Sequence, residues 1–211
     1  MEAHARPREH RAHGLALDPR KAGQVKGAFF LDRDGTINVD HVYIKDPALI
    51  ELIPGSADAI RRVREAGYLV VVVTNQSGVG RGIIDGNKLP DIHARLDELL
   101  AQEGAHIDDY RICVHRPEEN CECRKPKGFL VKEAAKELAI DLSRSVFVGD
   151  RFSDVAAGAN GGCRYSILVR TGKGAEEEAR LGGSGLSKAE RPDHVADDLD
   201  QAVDWALGKL A

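Results

Sequence analysis

Tyr68-Leu69-Val70-Val71-Val72-Val73 is an unbroken apolar run rich in β-branched side chains. Such a run, with no polar residue in alternation, is the signature of a strand covered on both faces. The rest of the chain repeats the theme. Ala28-Phe29-Phe30-Leu31 reads as a buried strand that stops at Asp32, and Tyr110-Arg111-Ile112-Cys113-Val114 as another. Ser145-Val146-Phe147-Val148-Gly149 reads as a fourth, ending at Asp150, and Tyr165-Ser166-Ile167-Leu168-Val169 as a fifth. Helical patterns fill the intervals at 56–66, 88–103 and 128–139 and resume near Asp198. Ser56 is the candidate N-cap of the first helix, and Gly67 lies just past its end. Residues 173–190, rich in Gly, Glu and Ser, read as a mobile surface loop. Strand–helix alternation of this kind implies an α/β fold, a Rossmann-like parallel sheet with helices on both faces.

A chain of 211 residues fits one domain with a well-filled core, here residues 28–211. Its 42% hydrophobic and 30% charged residues are those of an ordinary soluble globular protein. The net charge of -4 argues against nucleic acid or an anionic membrane as partner. No apolar run approaches the ~20 residues needed to span a bilayer. Residues 1–27 are polar and Arg/His-rich, without the apolar centre of a secretory signal, and read as a disordered extension. The reading is a cytoplasmic protein, small enough to act as a monomer.

In open parallel sheets, ligands bind beyond the carboxyl ends of the strands. The polar residues gather there: Asp32 and Asp34 after the first strand, Thr74 and Asn75 after the second, Asp150 after the fourth. Two carboxylates one residue apart leave a strand end in different directions, which suits two roles. Asp32 can attack phosphorus as a nucleophile, while Asp34 protonates the leaving oxygen and later takes a proton from water. Such a pair repels a phosphate dianion unless a hard cation intervenes, and Mg²⁺ suits carboxylate and phosphate oxygens. Asp32 and Asp34 are candidate ligands, Asp150 supplies the third protein oxygen from a neighbouring strand end, and Asp154 steadies the site and caps a helix. Thr74-Asn75-Gln76-Ser77-Gly78 offers small hydrogen-bond donors to a phosphoryl oxygen. Lys125 brings positive charge to the transferring group and to Asp32, and the planar fork of Arg124 suits a second phosphate or substrate hydroxyls.

Cys113, His115, Cys121 and Cys123 fall within eleven residues. Three thiolates and an imidazole at this spacing match a closed tetrahedral Zn²⁺ site with a structural role. A redox dithiol formed by Cys121 and Cys123 is the competing reading. The loop runs directly into Arg124 and Lys125, so a metal there pins both side chains at the rim. Cys163 stands apart and reads as a small buried residue.

Asp32-Arg33-Asp34-Gly35-Thr36, Thr74-Asn75, Lys125 and Gly149-Asp150-x-x-x-Asp154 resemble the four motifs of the haloacid dehalogenase superfamily of phosphatases. The likeness runs from about residue 28 to residue 172 and includes no large inserted cap domain. It implies a small phosphosugar as substrate. Two zinc-containing branches look similar, one acting on heptose bisphosphate at its C7 phosphate and one on histidinol phosphate. The first is favoured by the stretch from Asp32 through Asp40-His41-x-Tyr43, by Thr74-Asn75-Gln76-Ser77-Gly78 and by Leu168-Val169-Arg170-Thr171-Gly172. In that branch the Asp-His-x-Tyr stretch lines the substrate site, which places Asp40, His41 and Tyr43 there. The branch's Arg-Lys pair, matched by Arg124 and Lys125, contacts substrate and phosphoryl group. The position after the metal-binding Asp, usually Lys, is Arg151 here, which keeps the charge and changes the geometry toward substrate. A reading from another class, a non-catalytic phosphosugar binder, leaves the pairing of Asp32 with Asp34 without a purpose. A polynucleotide-end phosphatase lacks the basic stripe with interleaved aromatics.

Overall fold

The computed structural model describes residues 27–211. The expected extension at 1–27 therefore lies outside the described residues, except for Gly27, which is buried and accepts a hydrogen bond from Leu69 N–H at 3.2 Å. The chain runs β1 (Ala28–Leu31), α1 (Ser56–Glu65), β2 (Leu69–Asn75), α2 (Ser77–Gly80), α3 (Leu89–Gln102), β3 (Asp109–Cys113) and α4 (Phe129–Leu138). It continues β4 (Val146–Gly149), α5 (Phe152–Gly161), β5 (Tyr165–Val169), α6 (Gly174–Glu178), β6 (His194–Ala196) and α7 (Leu199–Leu210). The six strands form one parallel sheet in the order β3-β2-β1-β4-β5-β6. No domain-sized insertion interrupts the alternation among the described residues, and none of their helices is long and apolar enough to cross a membrane.

Strand side chains alternate between faces, and each face is covered. Phe29, Leu31, Val70, Val72, Val146, Val148, Ile167 and Val169 enter one core with the inner faces of α1, α3 and α7. Ala28, Phe30, Leu69, Val71, Val73 and Phe147 enter a second core, beneath α4 and α5. At its centre Phe30 pairs in register with Val71 on one side and Phe147 on the other. This two-sided burial explains why β2 reads as an uninterrupted apolar run.

The structure departs from the sequence reading in three places. Gly55, in the left-handed region at φ 83°, is the N-cap of α1; Ser56 is its first turn, buried, and makes no capping bond. The chain enters through Pro54-Gly55, and only a residue tolerant of positive φ makes that bend at low cost. Residues 173–190 do not form a free loop. They hold α6, tied by the Arg170–Glu178 ion pair at 2.6 Å, and Leu181 and Leu186 pack on Phe152, Val155 and Leu168. Strand β6 has no counterpart in the sequence reading because three residues at a sheet edge, two of them half-exposed, carry no periodic signal.

The inner face of α3 presents Ile92, Leu96 and Leu100 to the core together with one imidazole, His93, only 4% exposed. His93 stacks on the Tyr110 ring of β3 at 4.6 Å, and the Tyr110 hydroxyl donates to Asp97 at 2.7 Å. Burial, with the charge of Arg33 beside it, pushes the His93 pKa down to about 3. In the unfolded chain the same ring takes a proton near pH ~6.5. The unfolded state binds more protons between these values, so stability rises with pH across the window, by up to about 1.4 kcal/mol per pH unit. The raised Asp32 and Asp150 carboxyls act in the opposite sense over the same window. The contribution of His93 is therefore read as the difference in slope between wild type and His93→Phe in denaturant-unfolding free energies between about pH 4.5 and 6.5. His93→Phe, which keeps the ring and the stack, should remove this part of it; a slope unaltered by the substitution contradicts the neutral buried imidazole.

Candidate active site

The strand order reverses between β1 and β4, and a parallel sheet opens a crevice at the carboxyl end of such a switch point. Asp32 leaves β1 and Asp150 leaves β4 at this crevice, and Asp154 follows on the first turn of α5. Ligand oxygens of the three carboxylates lie within 4.8 Å of one another, and all three residues are buried. Lys125 enters from the loop before α4, itself 3% exposed. Its Nζ donates to the Val73 carbonyl at 2.8 Å and pairs with Asp32 Oδ1 at 2.8 Å and Asp154 Oδ1 at 2.7 Å. One ammonium thus pairs with two of the three carboxylates. Burial raises the Asp32 carboxyl above its ordinary range against the pull of Lys125. Burial also raises that of Asp150, reinforced by the charges of Asp154 and Asp32. Asp150 Oδ1 is buried without a hydrogen bond; the nearest cation, Arg151 Nε, stands 3.9 Å away. An orphaned buried carboxylate oxygen inside an excess of negative charge is what a divalent cation with oxygen ligands would satisfy.

Asp34 belongs to the same turn, and its side chain points elsewhere. It receives the Arg33 guanidinium through Nε at 3.2 Å and Nη2 at 2.8 and 3.0 Å, Asn38 Nδ2 at 3.0 Å and Gln76 Nε2 at 2.9 Å. Burial pushes the Asp34 carboxyl up, but the Arg33 charge and these hydrogen bonds outweigh it and hold it below the ordinary range. Thr74, at the end of β2, is 1% exposed and accepts the other Gln76 amide hydrogen at 2.9 Å. The two carboxylates of Asp32-Arg33-Asp34 are therefore held in unlike surroundings, the condition for dividing nucleophile and acid–base work between them.

The turn is shaped to fit around Asp150. Gly35 has φ 82°, and a Cβ on it would strike Asp150 Oδ2. On the far side Lys173 N–H donates to the same oxygen at 2.8 Å, and Thr171 Oγ1 donates to the Gly35 carbonyl at 2.6 Å. Asn75 spends its amide on the backbone of Lys125, accepting from its N–H at 3.1 Å and donating to its carbonyl at 3.2 Å. Asn75 and Gln76 thus brace the site from within, whereas Ser77, the first residue of α2, is half-buried beside them. Tyr43 lies on Gly78, where a Cβ would come within 2.7 Å of its ring. Asp40 reaches Arg151 at 3.4 Å, which brings the 40–43 loop to the edge of Asp150, with His41 exposed on it. Arg33, Asn38 and His93 were not singled out from sequence; the only hint was a charged residue enclosed between two aspartates in a buried turn.

Cys113, at the end of β3, faces His115, Cys121 and Cys123. Sγ of Cys113 is 3.6 Å from that of Cys121, and the Cys121 and Cys123 sulfurs are 3.4 Å apart. His115 Nδ1 lies 3.7 Å from Cys113 Sγ and 3.2 Å from Cys123 Sγ. These gaps exceed a disulfide bond of ~2.05 Å and are close to the ~3.8 Å edge of a tetrahedron of thiolates around one Zn²⁺. The His115 carbonyl accepts from Arg124 Nη1 at 3.3 Å, so the cluster also fixes the arginine that precedes Lys125.

A HAD-hydrolase-like family model matches residues 122–202. A D-glycero-beta-D-manno-heptose-1,7-bisphosphate 7-phosphatase of Haemophilus influenzae is 37% identical, over 82% of this chain and 92% of its own length. The D-glycero-D-manno-heptose-1,7-bisphosphate 7-phosphatase of Thermosynechococcus vestitus is 40% identical, over 87% of this chain and 97% of its own. Among solved structures, a D,D-heptose 1,7-bisphosphate phosphatase from B. bronchiseptica, complexed with magnesium and phosphate, superimposes with a TM-score of 0.77 at 34% identity. That match covers 87% of this chain and 99% of the other. Likeness at this level along nearly the full length of each relative leaves no room for a distant fold analogy: the chain belongs to the family of D-glycero-D-manno-heptose-1,7-bisphosphate 7-phosphatases.

Proposed function

We propose that the protein is a magnesium-dependent phosphoric monoester hydrolase that removes the C7 phosphate of D-glycero-D-manno-heptose 1,7-bisphosphate through a phospho-aspartyl intermediate on Asp32. The observation that carries the reading is the buried group of Asp32, Asp150 and Asp154 around a single lysine at the switch point of the sheet. Asp32, the backbone carbonyl of Asp34, and Asp150 would hold Mg²⁺, which would neutralise the phosphate against the carboxylates. Asp32 attacks phosphorus in line, the bond from phosphorus to the C7 oxygen breaks, and Asp34 gives that oxygen a proton. The ion pair with Arg33 keeps Asp34 ionised before substrate arrives. The negative charge of the incoming phosphate raises its proton affinity by like-charge repulsion, and Asp34 takes up from solvent, as substrate binds, the proton that it gives to the C7 oxygen. In the second half Asp34 takes a proton from water, the water oxygen bonds to phosphorus, and Asp32 leaves as a carboxylate. Thr74 and Lys125 stabilise the phosphoryl oxygens. Asp40, His41, Tyr43, Arg124 and Arg151 line the approach to the sugar and its second phosphate, with Asn75, Gln76 and Ser77 forming the floor.

Cys113, His115, Cys121 and Cys123 bind a structural Zn²⁺, since four protein ligands leave no position for substrate. Residues 28–211 form one catalytic unit that acts in the cytoplasm as a monomer, on a small phosphosugar and on neither nucleic acid nor membrane.

Asp32→Asn should fold as the wild type does, judged by its melting transition, and release no phosphate in a colorimetric assay with Mg²⁺; an active variant removes Asp32 as nucleophile. Asp34→Asn should lose about 10²–10⁴-fold in kcat. Phosphate trapped on the enzyme by acid quench should sit on Asp32, and label on Asp34 would reverse the roles. The substrate is tested by comparing kcat/KM for heptose bisphosphate with that for histidinol phosphate, and a strong preference for the latter defeats the assignment.

Elemental analysis should find one zinc per chain in protein purified without chelators. Cys121→Ser or Cys123→Ser should lose it and lower Tm, because metal binding contributes folding free energy. As Arg124 is anchored on the same loop, KM for the bisphosphate should rise more than kcat falls. A zinc-free wild-type protein of full stability would contradict the structural metal.

A further inference from the structure

Arg33 is the largest fully buried side chain of the described residues, and it sits between the nucleophile and the acid. A guanidinium does not give up its charge, so its burial requires partners for its donors. Nε and Nη2 are taken by Asp34. Nη1 lies 3.3 Å from Nε2 of His93. The guanidinium has no lone pair to offer, so Nε2 must be the acceptor and the ring must carry its proton on Nδ1. His93 in turn is held against Tyr110, whose hydroxyl is tied to Asp97 one turn further along α3. A continuous series of contacts runs from a helix on one face of the sheet to the carboxylate of Asp34.

We propose that His93 is a positioning residue for phosphate-ester cleavage: its Nε2 fixes the rotation of the Arg33 fork, and the fork fixes the plane of the Asp34 carboxylate. Two parallel bonds from a planar fork specify orientation as well as place. The remaining partners of Asp34 are neutral amides on separate segments, Asn38 and Gln76. Asp34 is also the more exposed carboxylate, with 22% of its side chain accessible against 10% for Asp32, so its geometry depends more on what grips it. Without an acceptor at Nη1 the guanidinium turns to find another, and Asp34 follows it. The proposal rests on the reading of Asp34 as acid and base.

Two substitutions separate positioning from simple core filling. His93→Phe keeps the stack on Tyr110 and removes the acceptor; His93→Gln loses the stack and returns an amide oxygen close to the place of Nε2. With D-glycero-D-manno-heptose 1,7-bisphosphate and Mg²⁺, His93→Phe should lower kcat by about 10–100-fold, the size of effect that about 1 Å of misplacement produces. KM should stay within about 2-fold, because Asp32, Thr74 and Lys125 are untouched. His93→Gln should keep most of the wild-type kcat. A core-filling role predicts the reverse order, and that order, or equal loss in both, overturns the proposal. Arg33→Lys, which keeps the charge and gives Asp34 one donor in place of a fork, tests the same link should the Phe variant fold poorly. It should show the same loss of kcat at constant KM, and full activity would overturn the proposal. In an Asp34→Asn background, His93→Phe should change the residual rate by less than about 2-fold, since residues acting as a unit are not additive. An active Asp34→Asn enzyme would defeat the acid–base reading itself. An inactive one beside a fully active His93→Phe would defeat only the role given to His93.

Discussion

The ion pairs of Lys125 with Asp32 and Asp154 are the interaction on which the site depends. Three carboxylates in one buried crevice repel one another strongly in a medium of low dielectric. A single ammonium, with its three donors directed at Val73 O, Asp32 and Asp154, makes the arrangement tolerable and leaves Asp150 Oδ1 without a hydrogen bond. That orphaned oxygen is where the proposed Mg²⁺ would find a ligand. The fold supplies the precondition, since β1 and β4 are neighbours that run parallel on either side of the reversal in strand order. Residues that follow the two strands therefore meet although they are far apart in the chain.

Around this centre the supporting contacts divide the labour. Asn75 grips the backbone of Lys125 from the end of β2, and Lys173 N–H and Gly35 confine Asp150. Asp34 is drawn away by Arg33, Asn38 and Gln76, so the two members of the Asp-x-Asp pair have opposite tendencies toward protons. The Cys/His loop enters from β3 and hands the chain directly to Arg124 and Lys125.

Much of this was legible because a covered parallel sheet writes plainly in sequence. The run at 69–73 and its counterparts at 28–31 and 146–149 are apolar throughout, and the first polar residue after each marks the rim. The Cys/His spacing was readable for a similar reason, since ligands close in sequence need little tertiary information. What could not be read is what long-range packing decides. In sequence Asp154 reads as a support and a cap; it does accept from Arg151 N–H at 3.0 Å, but its other oxygen lies in the cluster itself. His93 carries no signal, because one imidazole on the apolar face of a helix looks the same whether it fills space or holds a neighbour. Gln76 and Asn75 read as donors for a ligand, and their amides turn out to be spent inside the protein.

The saturation of Lys125 has a consequence for its chemical behaviour. Burial works against its charge, but Asp154 and Asp32 outweigh burial and raise its proton affinity. Its nitrogen therefore has no lone pair to share, and the Phe147 ring lies 5.7 Å below it. The residue at the electrostatic heart of the molecule is consequently a very poor nucleophile. Electrophilic reagents that survey proteins for reactive amines will modify the exposed lysines and pass this one by.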